Sequence, residues 1–123
     1  PYTTLFRSNP DMVGHTGNYK AVVDAIEITD FCLGKIFEKA SSQFYDLIVT
    51  ADHGNAEKML NKDGTPITSH TTSKVPFIIC NEEYKIKSEG ALKDIAPTII
   101  DMYEIKKPSV MTGESLIIKD EEN

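Results

Sequence analysis

The order in which apolar residues recur along the chain predicts an α/β fold. A long stretch with apolar residues three and four apart precedes two short, nearly unbroken apolar runs, and a second helical stretch follows them. Alternating helices and buried strands pack as layers, with helices flanking a sheet. The 123 residues, 40% hydrophobic and 26% charged, suffice for one globular piece with a core, although a domain this small keeps much of its surface wet.

From about Asn18 to Ala40, residues Val22, Val23, Ile26, Leu33, Ile36, Phe37 and Ala40 mostly follow one helical face. Lys20, Asp24, Glu27, Glu38 and Lys39 fall largely elsewhere, so a long amphipathic helix with a core-facing apolar stripe is expected. Gly34 weakens it by about 1 kcal/mol relative to Ala without overturning it. Tyr45 to Ala51 is mostly apolar with little alternation, which suits a strand buried on both faces, as in a parallel sheet. Val75 to Cys80 is a second such strand, interrupted in character by Pro76. Between them Asn61 to Pro66 is dense in turn formers and predicts a hairpin-like excursion or loop.

Ala91 to Ile105 returns to helical spacing through Leu92, Ile95, Ile99, Met102 and Tyr103, with Pro97 in the first turn or at a kink. A last short apolar set, Leu116 to Ile118, precedes a polar tail expected to fray over residues 120 to 123. No repeats or low-complexity blocks occur.

Charge narrows the function classes. Acidic residues outnumber basic ones 19 to 13, for a net charge of −6, and the basic residues are scattered. A nucleic-acid partner needs a positive stripe to displace counterions from phosphates, so none is expected. No run approaches the roughly 20 apolar residues of a membrane helix and no secretory leader pattern is seen, so cytoplasm is the expected compartment, without a membrane. Cys32 and Cys80 lie far apart outside any CxxC pattern and are expected as half-buried reduced thiols.

Residues 1 to 8 stand apart. Pro1-Tyr2-Thr3-Thr4-Leu5-Phe6-Arg7-Ser8 reads like a translated sequencing adapter, a non-native scar to be set aside from fold reasoning. Without Arg7 the balance becomes 12 basic against 19 acidic residues. Residues 9 to 119 are then the native part of the domain.

All three histidines sit in polar, Gly/Ser/Thr-rich settings beside carboxylates or strand ends. Asp52-His53 comes directly after an expected buried strand, where open α/β sheets bind ligands, and Gly54 permits the backbone to turn sharply there. Asp11 and His15, four apart, can converge on one ion just ahead of the long helix. Mixed carboxylate and imidazole ligands suit divalent Mn, Zn or Co, whereas an all-oxygen set suits Mg or Ca. Two neighbouring ions would clamp the attacking and leaving oxygens of a phosphoryl transfer. Such pairs also arise by chance, so spacing alone leaves a metal site and unrelated polar residues equally open.

The motif Asn9-Pro10-Asp11-Met12-Val13-Gly14-His15-Thr16-Gly17-Asn18 is the most specific in the chain. With Thr50-Ala51-Asp52-His53-Gly54-Asn55-Ala56-Glu57 and His70-Thr71-Thr72 before Val75-Pro76-Phe77, it resembles the last third of cofactor-independent phosphoglycerate mutases, in the alkaline-phosphatase superfamily. Asp94 to Thr98 and Met111 to Ile117 resemble the family's closing segment, so the similarity runs from Asn9 to about Lys119. The resemblance implies a partial alkaline-phosphatase-like layered sheet with flanking helices. It also implies two divalent ions, with Mn favoured over Co, Zn and Mg. Asp11, His15 and His70 would hold the first, and Asp52 and His53 would hold the second.

The family's reaction interconverts 3-phosphoglycerate and 2-phosphoglycerate through a phosphoserine, in glycolysis and gluconeogenesis, and the parent is expected to be a monomer. Ser8, Ser69 and Ser73 match no family nucleophile, and neither the nucleophilic serine nor the arginine-bearing substrate domain falls within these residues. An inactive fragment of such an isomerase is therefore expected. A phosphopentomutase or phosphodiesterase of the same superfamily is the alternative enzyme reading, and a truncated α/β piece with no occupied site is the alternative outside enzymes.

Overall fold

The computed structural model describes residues 10–119; the segment read as a scar and the tail lie outside the described residues. Two compact units divide the chain, residues 1–80 and 81–123. The mixture of helices and a small sheet accords with the α/β class expected.

The first unit begins with a short helix that periodicity did not reveal, α1 (Pro10–Gly14). Pro10 occupies its first position, where the missing N–H costs nothing. Gly17, at φ +69°, then reverses the chain into α2 (Tyr19–Ser42), and a β-carbon there would run into Pro66. Asn18 caps α2 by accepting a hydrogen bond from the Ala21 N–H at 3.1 Å.

The α2 stripe is real but only partly covered. Val22 is buried, and Ala25, Thr29, Cys32, Leu33, Ile36 and Ala40 follow it half-buried at three-and-four spacing. Ile26 and Phe37, expected in the core, are 46% and 43% exposed. The reason is length. The helix packed on α2 is α1, and five residues cover only the beginning of a 24-residue helix.

β1 (Ile48–Thr50) and β2 (Phe77–Ile79) form a two-stranded antiparallel sheet, with Ile48 opposite Ile79 and Thr50 opposite Phe77. The Cys80 N–H donates to the Leu47 carbonyl, and the Thr50 hydroxyl donates to the Pro76 carbonyl. Burial on both faces, the expectation for these runs, is not met: the residues are half-buried or exposed, with Ile78 at 48%. Among the described residues each strand has one partner, so an edge of each stays open.

The same pairing continues outward as a long hairpin. Gly54 bridges Thr71 and Leu60 bridges Pro66. The expected turn closes it: Asn61 N–H donates to the Thr65 carbonyl, Gly64 adopts φ +83°, and the Asp63 carboxylate accepts from the Thr65 N–H and hydroxyl. Met59 is buried inside this excursion.

In the second unit a 3-10 turn, Leu92–Asp94, runs into α3 (Ile95–Met102), with Pro97 in its first turn as expected. The helix stops short of Ile105. Glu104 takes φ 54° and the Ile105 N–H returns to the Ile100 carbonyl, which closes the helix end. Thr98 is wholly buried; its hydroxyl donates to the Asp94 carbonyl and accepts from the Leu116 N–H. The Asp94 carboxylate accepts from the Ala91 and Glu114 N–H groups, and chiefly the Glu114 bond lowers its pKa. Leu116 to Ile118 pairs with the segment around Ile86.

Candidate metal centre

Three chain segments deliver the site. α1 carries Asp11, and His15 follows directly after its last residue, four positions on, so the two side chains come to the same side of the helix end. The hairpin delivers the others: with Gly54 opposite Thr71 in an antiparallel bridge, the residues before each, His53 and His70, are diagonal neighbours on one face, within reach of aromatic rings. Their rings stack with centroids 3.4 Å apart and an 11° interplanar angle. The His15 ring lies 5.2 Å from that of His70.

Asp11 Oδ1 is the focus. It lies 3.5 Å from His15 Nε2 and 3.6 Å from His70 Nε2. One potential ligand atom from each of Asp11, His15 and His70 falls within 4.8 Å of the others. In a tetrahedral site with ligands at about 2.0–2.2 Å, neighbouring ligand atoms lie roughly 3.4 Å apart. The two separations match that spacing, so the donor set fits one divalent cation. His15 Nδ1 is buried and has no hydrogen-bond partner among the described residues.

The electrostatics favour an ionised Asp11. Its pKa is lowered, first by the hydrogen bond from Asn55; burial, next in size, opposes this, and His15, His53 and His70 each lower it further. Asp52 stands beside His53, with Oδ1 3.4 Å from Nε2, and its side chain is 80% exposed. The structure therefore brings Asp11, His15 and His70 together at ligand distance. It places His53 against them, and leaves Asp52 at the open side of His53.

Two neighbours were not singled out from the sequence. Asn55 Nδ2 donates to Asp11 Oδ1 at 2.6 Å, and Glu57 accepts from the Asn55 N–H and from the Thr71 hydroxyl. Both lie inside the Thr50 to Glu57 motif, which was the signal available. Gly54 is needed for a different reason from the sharp turn expected. It is not among the glycines with positive φ, but a β-carbon there would overlap Thr71 Oγ1 and Glu57 Oε1.

A carboxylate and two imidazoles gathered at this spacing form a ligand set suited to a metal ion, and residues 2–107 match the metalloenzyme superfamily. The chain belongs to that superfamily. It is 49% identical over 120 residues to the 2,3-bisphosphoglycerate-independent phosphoglycerate mutase of Moorella thermoacetica, covering 96% of this chain and 23% of the relative. Over 122 residues it is 49% identical to the protein of that name from Clostridioides difficile, covering 96% and 24%. The protein so named from Anaplasma marginale is 49% identical over 111 residues, covering 89% and 22%. The chain thus spans about a quarter of the length of the curated relatives it matches. Among the described residues no helix is long and apolar enough to cross a membrane.

Proposed function

We propose that this chain supplies the metal ligands of an isomerase that interconverts 3-phosphoglycerate and 2-phosphoglycerate. The observation that carries the reading is the convergence of Asp11, His15 and His70, from segments 55 residues apart in the chain, on a single oxygen. The 49% identity to relatives named phosphoglycerate mutases supports phosphoglycerate as the substrate.

In this reading Asp11, His15 and His70 hold one divalent ion, and Asp52 and His53 contribute to a second. Mn is the metal favoured by the family resemblance; two imidazoles with one carboxylate by themselves suit Zn or Co as well, and Mg or Ca less. When bound, such ions lower the pKa of a nucleophilic hydroxyl and offset charge on a transferring phosphoryl group. The protein's own part is placement. α1 and the turn directly after it place Asp11 and His15 side by side, and the hairpin holds the stacked pair His53 and His70 against them. Asp52, exposed beside His53, is free to turn toward a ligand on the open side.

The serine that carries the phosphoryl group and the arginines that hold phosphoglycerate belong to parts of the parent outside these residues. The chain by itself is then inactive, and the parent works as a cytoplasmic monomer in glycolysis and gluconeogenesis. The test is enzymatic, on the parent. Conversion of 3- to 2-phosphoglycerate without added 2,3-bisphosphoglycerate, lost on His70→Ala, is expected. Hydrolysis of phosphodiesters in its place overturns the assignment.

A further inference from the structure

We propose that Asn55 is a positioning residue of the metal centre, holding the Asp11 carboxylate in its ligating orientation while Glu57 holds Asn55. The proposal rests on the reading of Asp11 as a metal ligand. The Asn55 amide is fitted onto α1 from outside it. Nδ2 donates to Asp11 Oδ1 at 2.6 Å and to the Asp11 carbonyl at 3.0 Å, and lies 3.4 Å from His15 Nε2. Oδ1 of the same amide lies against Gly14, where a β-carbon would overlap it.

The oxygen that takes the amide hydrogen bond is the one nearest both histidines. A carboxylate oxygen has lone pairs in fixed directions. Occupying one with a rigid donor turns the other toward His15 and His70. An amide is the right donor for this task. It orients the carboxylate but brings no positive charge, so the full negative charge remains for a cation; a lysine at the same place would neutralise it.

The residue that carries the amide is itself anchored through its backbone. The Asn55 N–H donates to Glu57 Oε2 at 2.7 Å, Glu57 Oε1 accepts from the Thr71 hydroxyl, and the Thr71 N–H donates to the Gly54 carbonyl at 2.9 Å. Thr71 directly follows His70. One chain of contacts therefore runs from Asp11 on α1, through the side chain and backbone of Asn55 and through Glu57, to the hairpin arm that presents His70. Partners of this kind set ligand orientation and basicity, and their loss weakens metal affinity by about 10- to 100-fold.

The test is calorimetric titration of the whole chain with Mn2+ alone, beside the visible absorption spectrum of the Co2+-loaded chain, which reports ligand geometry. Asn55→Ala is expected to weaken Mn2+ binding about 10- to 100-fold and to shift the Co2+ bands. Gly14→Ala, which displaces the same amide from the helix side, is expected to act in the same direction. Both are compared at unchanged far-ultraviolet circular dichroism. Asp11→Ala is expected to abolish binding. If Asp11→Ala abolishes binding while Asn55→Ala and Gly14→Ala keep the parent affinity and Co2+ spectrum, the positioning role is overturned. If Asp11→Ala binds as the parent chain does, or the parent chain binds no metal, the ligand reading fails and the positioning role fails with it.

Discussion

Replacing Glu57 by Gln tests the strut that joins the two histidine-bearing arms of the hairpin. The Thr71 hydroxyl bond, first among several hydrogen bonds, lowers the Glu57 carboxyl from an ordinary 4.5 to about 2. Taken at face value that difference is about 3 kcal/mol between the two protonation states. Glu57 is exposed, however, and solvent screens exposed charge, so about 1 kcal/mol is the magnitude to expect. A folded carboxyl that titrates below its unfolded value stabilises in its ionised form. The contribution is whole above about 4.5 and is lost as the pH falls toward 2. The assay is amide hydrogen exchange at Thr71, whose N–H is bonded to Gly54 across the bridge. At pH 7, Glu57→Gln is expected to lower protection there about fivefold, the equivalent of about 1 kcal/mol. Titration of the Glu57 side-chain carbon by NMR is expected to give a midpoint near 2. A midpoint at 4 or above, or unchanged Thr71 protection in the variant, refutes the strut.

Thr98→Val keeps the shape of a wholly buried side chain but leaves the Leu116 N–H without its acceptor, so the second unit is expected to lose about 1–3 kcal/mol in urea titration. An unchanged midpoint counts against that hydrogen bond. Because Ile26, Phe37 and Ile78 stand exposed and β1 and β2 keep open edges among the described residues, the chain is expected to scatter light and self-associate at micromolar concentration. A sharp, cooperative unfolding transition from a monomer counts against this.

The parts of the fold legible in the sequence are those set by local chemistry. α2 begins at Tyr19 because Asn18 caps it, and the turn at Asn61–Pro66 follows from Asp63 and Gly64. Pro97 sits in the first turn of its helix. α1 escaped because five residues make little more than one helical turn, too few for a spacing to repeat. The apolar content of Tyr45–Ala51 and Val75–Cys80 suggested strands buried on both faces. Apolar content reports what a strand is suited to cover, not what covers it, and here the two strands pair with each other through a hairpin.

The candidate site divides in the same way. Asp11 with His15, and Asp52 with His53, are near neighbours whose residue types already point to a cation. His70 joined them through resemblance, and the hairpin register gives the physical reason it lies beside His53. Asn55 was not legible as a site residue, since its bond to Asp11 spans 44 positions and depends on how the hairpin meets α1.

The most direct measurement is anomalous diffraction at the manganese edge from crystals of the chain soaked in Mn2+. A peak at about 2.0–2.2 Å from Asp11, His15 and His70 together is the expected result. A peak that reaches only one of the three, or manganese bound elsewhere on the chain, contradicts a shared ion at this centre.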